Sequence, residues 1–170
     1  MKKVPLICIL IFFIASASVY ADGKRFHITP KVQSAYGWSG PHDDGANANP
    51  GIGAGVILGL GIYRDVIIEA NAAYEYWFTN EYEDGIEDRL IMIPVLFGFN
   101  APVTNHIGVI SGMGLTFWDH GNEDGKEVSF YVGAEIRYRN FSVRPKLFHL
   151  YHHDGSLTQV KLAAGYRFSL

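Results

Sequence analysis

Cysteine is almost missing from this chain of 170 residues; Cys8 is the only one. A single thiol rules out a disulfide framework and a cysteine-built metal site, so hydrogen bonds and packing must hold the fold. Basic residues are few, 14 Lys and Arg against 17 Asp and Glu, a poor balance for binding nucleic acid. Segments with helical period are hard to find. There is no P-loop, no Gly-x-Gly-x-x-Gly after a strand, no zincin motif and no Gly-x-Ser-x-Gly elbow. Catalysis and nucleotide binding therefore have little support, and no cofactor is expected.

Long apolar runs are lacking too, apart from Pro5 to Ile14 near the start. Lys2 and Lys3 precede that run, and Val19-Tyr20-Ala21 follows it with small side chains at the −3 and −1 positions of a cleavage site. This three-part order predicts a secretory signal peptide over residues 1–21. A spanning helix would need about 20 apolar residues. Cys8 leaves with the signal and lacks the context of a lipoprotein anchor. Removal of two lysines and no acid moves the formal charge from −3 to −5.

Aromatic residues and glycine are plentiful, with 11 Phe, 10 Tyr, 3 Trp and 19 Gly, a composition that suits a β-rich protein. Residues 22–170 read as one domain of ten-residue segments separated by turn chemistry. The expected strands are Phe26–Tyr36, Gly51–Tyr63, Val66–Phe78, Arg89–Asn100, Ile107–Trp118, Val128–Arg139, Phe141–Tyr151 and Thr158–Phe168. Several alternate with period two. One face of the third carries Val66, Ile68, Ala70, Ala72, Tyr74 and Tyr76, and the other holds Glu69, Asn71 and Glu75. The sixth sets Val128, Phe130, Val132, Ala134, Ile136 and Tyr138 against Ser129, Tyr131, Gly133, Glu135, Arg137 and Arg139. The second is rich in glycine on one face, leaving room for long side chains opposite. Pro94, which cannot donate a ladder hydrogen bond, predicts a bulge or weak pairing in the fourth.

Alternation alone does not say which face is inside. Three features favour apolar outside and polar within. Odd-to-even connections read as long and polar (Gly37–Pro50, Thr79–Asp88, Asp119–Glu127, His152–Leu157), whereas Arg64-Asp65, Ala101–His106 and Asn140 are short. The strands have the ~9–11 residues that cross a bilayer when tilted. Aromatics, including Tyr36, Trp38, Tyr74, Trp77, Trp118, Tyr138 and Tyr151, gather towards strand ends, where interfacial girdles sit. The expected fold is all-β, an eight-stranded antiparallel up-and-down transmembrane β-barrel.

At the C-terminus, Gly165-Tyr166-Arg167-Phe168 resembles the β-signal of bacterial outer-membrane barrels, with Ser169 and Leu170 following where that signal normally ends. With the signal peptide and the strand count, the mature chain resembles the small outer-membrane β-barrel superfamily, similar to the eight-stranded barrels of the OmpA-transmembrane, OmpX and OmpW kinds. The resemblance implies residence in the cell outer membrane of a Gram-negative bacterium and insertion by the barrel-assembly machinery. It does not imply one activity. Outer-membrane lipid and lipopolysaccharide are the expected surroundings, and a monomer the expected state.

The expected luminal polar network comprises Lys31, Glu69, Glu75, Glu135, Arg137, Arg144, Lys146, Lys161 and Arg167, with Arg89 near a strand end. Eight strands enclose only enough space for side chains, so these charges should pair and plug the interior; Glu69 and Glu135 should find basic neighbours on adjacent strands. A minor pore is one alternative. A lipid A-modifying acyl hydrolase is another, from the region His149, His152 and Ser156, because lipid A deacylases are small barrels with a late His-x-Ser-Asn motif. Here Tyr151 stands where that motif has Ser, and the last strand has no Glu. A metal site at His152, His153 and Asp154, and a partial calcium-loop pattern around His120–Gly125, are weaker readings. The acidic loop residues Asp43, Asp44, Glu81, Glu83, Asp84, Glu87, Asp88, Glu123 and Asp124 could share divalent cations with lipopolysaccharide phosphates. A soluble periplasmic barrel is the remaining alternative.

Overall fold

The computed structural model describes residues 26–39, 49–63, 66–78, 89–120, 123–152 and 155–170. Eight long strands follow one another: β1 (Phe26–Ser39), β2 (Asn49–Tyr63), β3 (Val66–Phe78), β4 (Arg89–Pro102), β5 (Ile107–His120), β6 (Glu123–Tyr138), β7 (Phe141–His152) and β8 (Gly155–Tyr166). A two-residue strand, β9 (Phe168–Ser169), continues β8 against β1 in the same register after a break at Arg167. Each strand pairs antiparallel with the next, and β1 pairs with both β2 and β8, so the sheet closes. Closure leaves no open edge and satisfies backbone groups within the wall.

The ladder sets the barrel's shape. Followed once round through its partners Leu60, Ile68, Phe99, Ser111, Val132, Leu147 and Val160, Phe26 leads back to Tyr36. That offset of ten residues along β1 is the stagger that tilts strands by roughly 35–45°. Pro94 and Pro145 interrupt the ladder without shifting it. The β3–β4 pairs at Ala73 and Tyr74 and the β6–β7 pairs at Ala134 and Glu135 are missing, while the register on both sides is continuous. Pro94 thus weakens pairing and makes no bulge.

Val132, Ile136, Val143 and Leu162 all lie exposed on the outside, while Glu135 and Arg144 are buried within. An apolar outer wall round a polar interior inverts the soluble pattern and fits hydrocarbon outside. At the turn end of the wall, Phe141 meets Tyr166 edge-on at 5.0 Å, and Tyr166 meets Phe168 at 4.8 Å. Tyr36, Tyr74, Phe78, Phe117 and Tyr151 are exposed towards the opposite end. These two groups have the placement of interfacial girdles.

Several expectations need correction. Strands β5 to β8 run further than the alternation suggested, so the connections read as Asp119–Glu127 and His152–Leu157 shrink to residues 121–122 and 153–154. Long connections at that end remain only between β1 and β2 and between β3 and β4. Trp77 points into the lumen, and Trp118 packs against the same luminal cluster, so neither belongs to a girdle. Arg139 leaves the inner face. It sits in the β6–β7 turn with φ 54° and lies over the Tyr138 ring at 5.5 Å.

Candidate functional site

The alternation aims one side chain in two at the barrel axis, and the inner side chains form three overlapping levels. Glycines make the room. A Cβ at Gly51 would meet the Trp77 ring, one at Gly59 the His27 ring, and one at Gly112 the Tyr131 ring. Gly in a strand commonly marks such a close approach.

The level nearest the short turns is ionic. Arg144 on β7 reaches Glu69 on β3 through Nη1–Oε2 at 2.7 Å and Nη2–Oε1 at 2.8 Å. It also donates to Glu135 Oε1 from Nε at 3.0 Å and Nη2 at 2.6 Å. Glu135 further accepts from Arg137, from Arg167 Nη2 at 3.2 Å and from Asn100 Nδ2 at 2.6 Å. The six side chains come from β3, β4, β6, β7 and the break between β8 and β9, which ties strands that share no ladder.

The middle level centres on Glu75. Lys161 Nζ lies 2.6 and 2.7 Å from its two carboxylate oxygens. Gln33 Nε2 also donates to Glu75, and Lys31 Nζ donates to Gln33 Oε1 at 2.6 Å. The Lys161 ammonium stands 3.7 Å from the centre of the Phe148 ring, and Lys146 stands 5.4 Å from that of Tyr131. These are cation–π distances.

The third level is apolar; it overlaps the other two, with Met92 opposite Glu75 and Ile110 opposite Asn100, and extends towards the long connections. Trp77, Met92, Leu96, Ile110, Tyr131, Phe148 and Leu150 form one buried cluster with Ala35, backed by Leu90, Trp118 and Leu157. Thr116 and Ser129 share a hydroxyl hydrogen bond of 2.6 Å beside it. Reading the lumen as uniformly polar missed this level. Its signal was the run Leu90–Phe97, apolar on both faces, which only an apolar patch inside the barrel accommodates.

All nine residues singled out as luminal therefore lie on the inner face. The structure joins Glu69, Glu135, Arg137, Arg144 and Arg167 in one network and joins Glu75 to Lys161, with Lys31 linked through Gln33. Lys146 stands apart from both carboxylate groups among the described contacts. Glu135 has its basic neighbour on the adjacent strand β7. The basic partner of Glu69 instead comes from across the lumen, because a carboxylate at the axis is as close to the opposite wall as to its own neighbours. The Arg89 side chain lies outside the described residues.

The alternative hydrolase region is arranged differently from the expectation. His149 faces outward on β7, and its Nδ1 lies 3.1 Å from Thr158 Oγ1 on β8. Ser156 is the ladder partner of Tyr151, so it is not the hydroxyl paired with His149. Residues 153–154, and the His152 side chain, lie outside the described residues. Among the described residues no three His, Cys, Asp or Glu side chains cluster as a metal site. The segment read as a partial calcium loop is mostly strand, with Asp119 opposite Asp124 across the β5–β6 ladder.

No family model matches the chain, and no curated protein matches it in sequence. Solved structures do match. Ail, the attachment invasion locus protein of Yersinia pestis, superposes with a TM-score of 0.59 at 12% identity over 85% of this chain and 98% of its own. The outer-membrane enzyme PagL gives 0.55 at 14%, covering 80% and 98%. Neisserial surface protein A gives 0.53 at 14%, covering 85% and 97%. What is shared at these identities is the fold of the small outer-membrane barrels.

Proposed function

We propose that this protein is a structural or surface-interaction barrel of the outer membrane, with an interior closed to solutes by its own side chains. The observation that carries this reading is the crowding of the inner face by buried side chains. Two ion-paired levels and one overlapping apolar level crowd the inner face, and an eight-stranded wall has no width to spare. The surface role falls to the β1–β2 and β3–β4 connections, whose acidic residues Asp43, Asp44, Glu81, Glu83, Asp84, Glu87 and Asp88 lie outside the described residues. In this reading they face outward and share divalent cations with lipopolysaccharide phosphates. Residues 165–168 serve recognition by the assembly machinery, and the barrel works as a monomer in lipid.

The test is electrical and biochemical. Purified folded protein in planar bilayers should give no discrete conductance steps, and the folded form should fractionate with the outer membrane and shift on gels after heating. Steps of stable amplitude would replace the closed barrel with a pore. Recovery of folded protein in the soluble periplasm would remove the membrane reading altogether.

One observation favours a second reading. The His149–Thr158 pair presents a base and a hydroxyl on the lipid-facing wall, as acyl transfer from a lipid ester would require. No carboxylate orients His149 among the described contacts, which is why this reading ranks second. Expression in a Gram-negative host should leave lipid A mass unchanged; loss of an acyl chain, abolished by His149→Ala, would make the protein a hydrolase.

A further inference from the structure

At the turn end of the barrel a cavity of about 490 Å³ opens below the ionic level. His27, Thr104, Asn105, Arg137, Arg167 and Ser169 are among its lining residues, and no carboxylate of the described residues lines it. We propose that this cavity binds a phosphate-type oxyanion between Arg137 and Arg167.

Saturation of Glu135 is the first reason. A carboxylate offers about four lone-pair sites. Those of Glu135 already receive Arg144 twice, Arg137, Arg167 and Asn100. The remaining donors of the two arginines have nowhere to go within the network: Arg137 Nε and Arg167 Nε are buried and lack a hydrogen-bond partner among the described residues. Charge points the same way. Arg137, Arg144 and Arg167 face only Glu69 and Glu135 in this level, which leaves one positive charge over.

The rest of the lining suits an oxyanion. Thr104 Oγ1 accepts the backbone N–H groups of His106 and Ile107 at 3.2 and 3.0 Å, so its own hydroxyl hydrogen remains available to donate. His27 is 4% exposed, and its Nε2 is a further buried atom without a partner among the described residues. Guanidinium groups recognise phosphate through paired N–H donors, and two of them surround a tetrahedral anion better than a planar one. Both a free phosphate and the headgroup of an anionic phospholipid carry this chemistry, and the cavity lies where the short turns meet the membrane boundary.

Nitrogen-15 spectra of the arginine Nε–Hε groups report on the site directly. The full mature barrel is placed in phosphatidylcholine nanodiscs and titrated with inorganic phosphate, and separately placed in phosphatidylglycerol nanodiscs without added phosphate. Two Nε–Hε signals should shift saturably in at least one arm. A shift with added phosphate assigns a free anion, and a shift in phosphatidylglycerol alone assigns the headgroup. Arg167→Met and Arg137→Met, each first checked for heat-modifiable mobility, should each remove one shifting signal and weaken binding at least tenfold. Should either variant fail to fold, the wild-type shifts still decide the matter. The proposal is overturned if no Nε–Hε signal moves in either arm, or if the shifts persist unchanged in both folded variants.

Discussion

Arg144 and Glu69 face each other from opposite walls of the barrel, β7 and β3, and meet through two parallel hydrogen bonds of 2.7 and 2.8 Å. Three strands lie between them in either direction round the sheet. Their contact is a strut across the axis, and the same guanidinium braces Glu135 beside it. Such a strut resists ovalisation of the wall without any ladder bond.

Removing that strut strands Glu69, while Glu135 keeps Arg137, Arg167 and Asn100. Arg144→Met should destabilise the folded barrel by about 3–5 kcal/mol, the usual result of breaking a buried pair from one side. Adding Glu69→Gln should recover much of the loss, since the stranded charge then disappears. Urea unfolding followed by heat-modifiable mobility measures both. A single variant within about 0.5 kcal/mol of wild type would show that water, not Arg144, solvates these carboxylates.

Glycine in the lumen makes a second prediction. A Cβ at Gly112 would come within 2.5 Å of Tyr131 Cε1 and 2.4 Å of the Phe97 carbonyl oxygen. Tyr131 is part of the apolar level and cannot retreat without displacing it. Gly112→Ala should therefore cost about 1–3 kcal/mol by overpacking. Pairing it with Tyr131→Leu should relieve part of the penalty. If Gly112→Ala folds as stably as wild type, the ring has more room than its contacts imply.

Much of this architecture was legible from period two alone. Glu69, Glu135 and Arg144 alternate strictly with Ile68, Ile136 and Val143, so one decision about sidedness placed them all. Three things escaped that logic. Loop length was misjudged at residues 119–127 because Asp119, Glu123 and Asp124 look like loop chemistry, yet all three lie within strands β5 and β6. Trp77 was assigned to a girdle because its neighbour Tyr76 belongs there, although one residue along a strand reverses the face. The pairing of Arg144 with Glu69 depends on stagger across eight strands, and no local pattern encodes it.

Lipid exposure predicts a gradient with depth. Leu147 lies near the middle of β7 and is exposed on the outer wall, whereas Val103 lies in the turn between β4 and β5. Leu147→Arg should cost about 2–4 kcal/mol in a bilayer, the penalty for a cation near the midplane. Val103→Arg should cost no more than about 1 kcal/mol, as near an interface. Equilibrium unfolding in bilayers of defined thickness gives both values. Equal penalties at the two sites would contradict a hydrocarbon-facing wall.

The apolar level makes the most direct prediction about closure. Phe148 is fully buried at the lumen's centre and Trp77 lies almost as deep, both in the cluster that also holds Met92 and Leu150. Truncating both to alanine opens space within this level while leaving the ion pairs of Arg144 and Lys161 in place. Each large-to-small change costs about 3–5 kcal/mol, so Phe148→Ala alone is the variant to examine if the pair fails to fold. Lys161 would lose the ring beneath its ammonium and gain water instead. In planar bilayers the double variant should show brief conductance events that wild type lacks, because the apolar level then loses its two most deeply buried rings. Silence from a folded double variant would assign closure to the arginine and lysine networks; frequent events in wild type itself would show that the apolar level never closed the barrel.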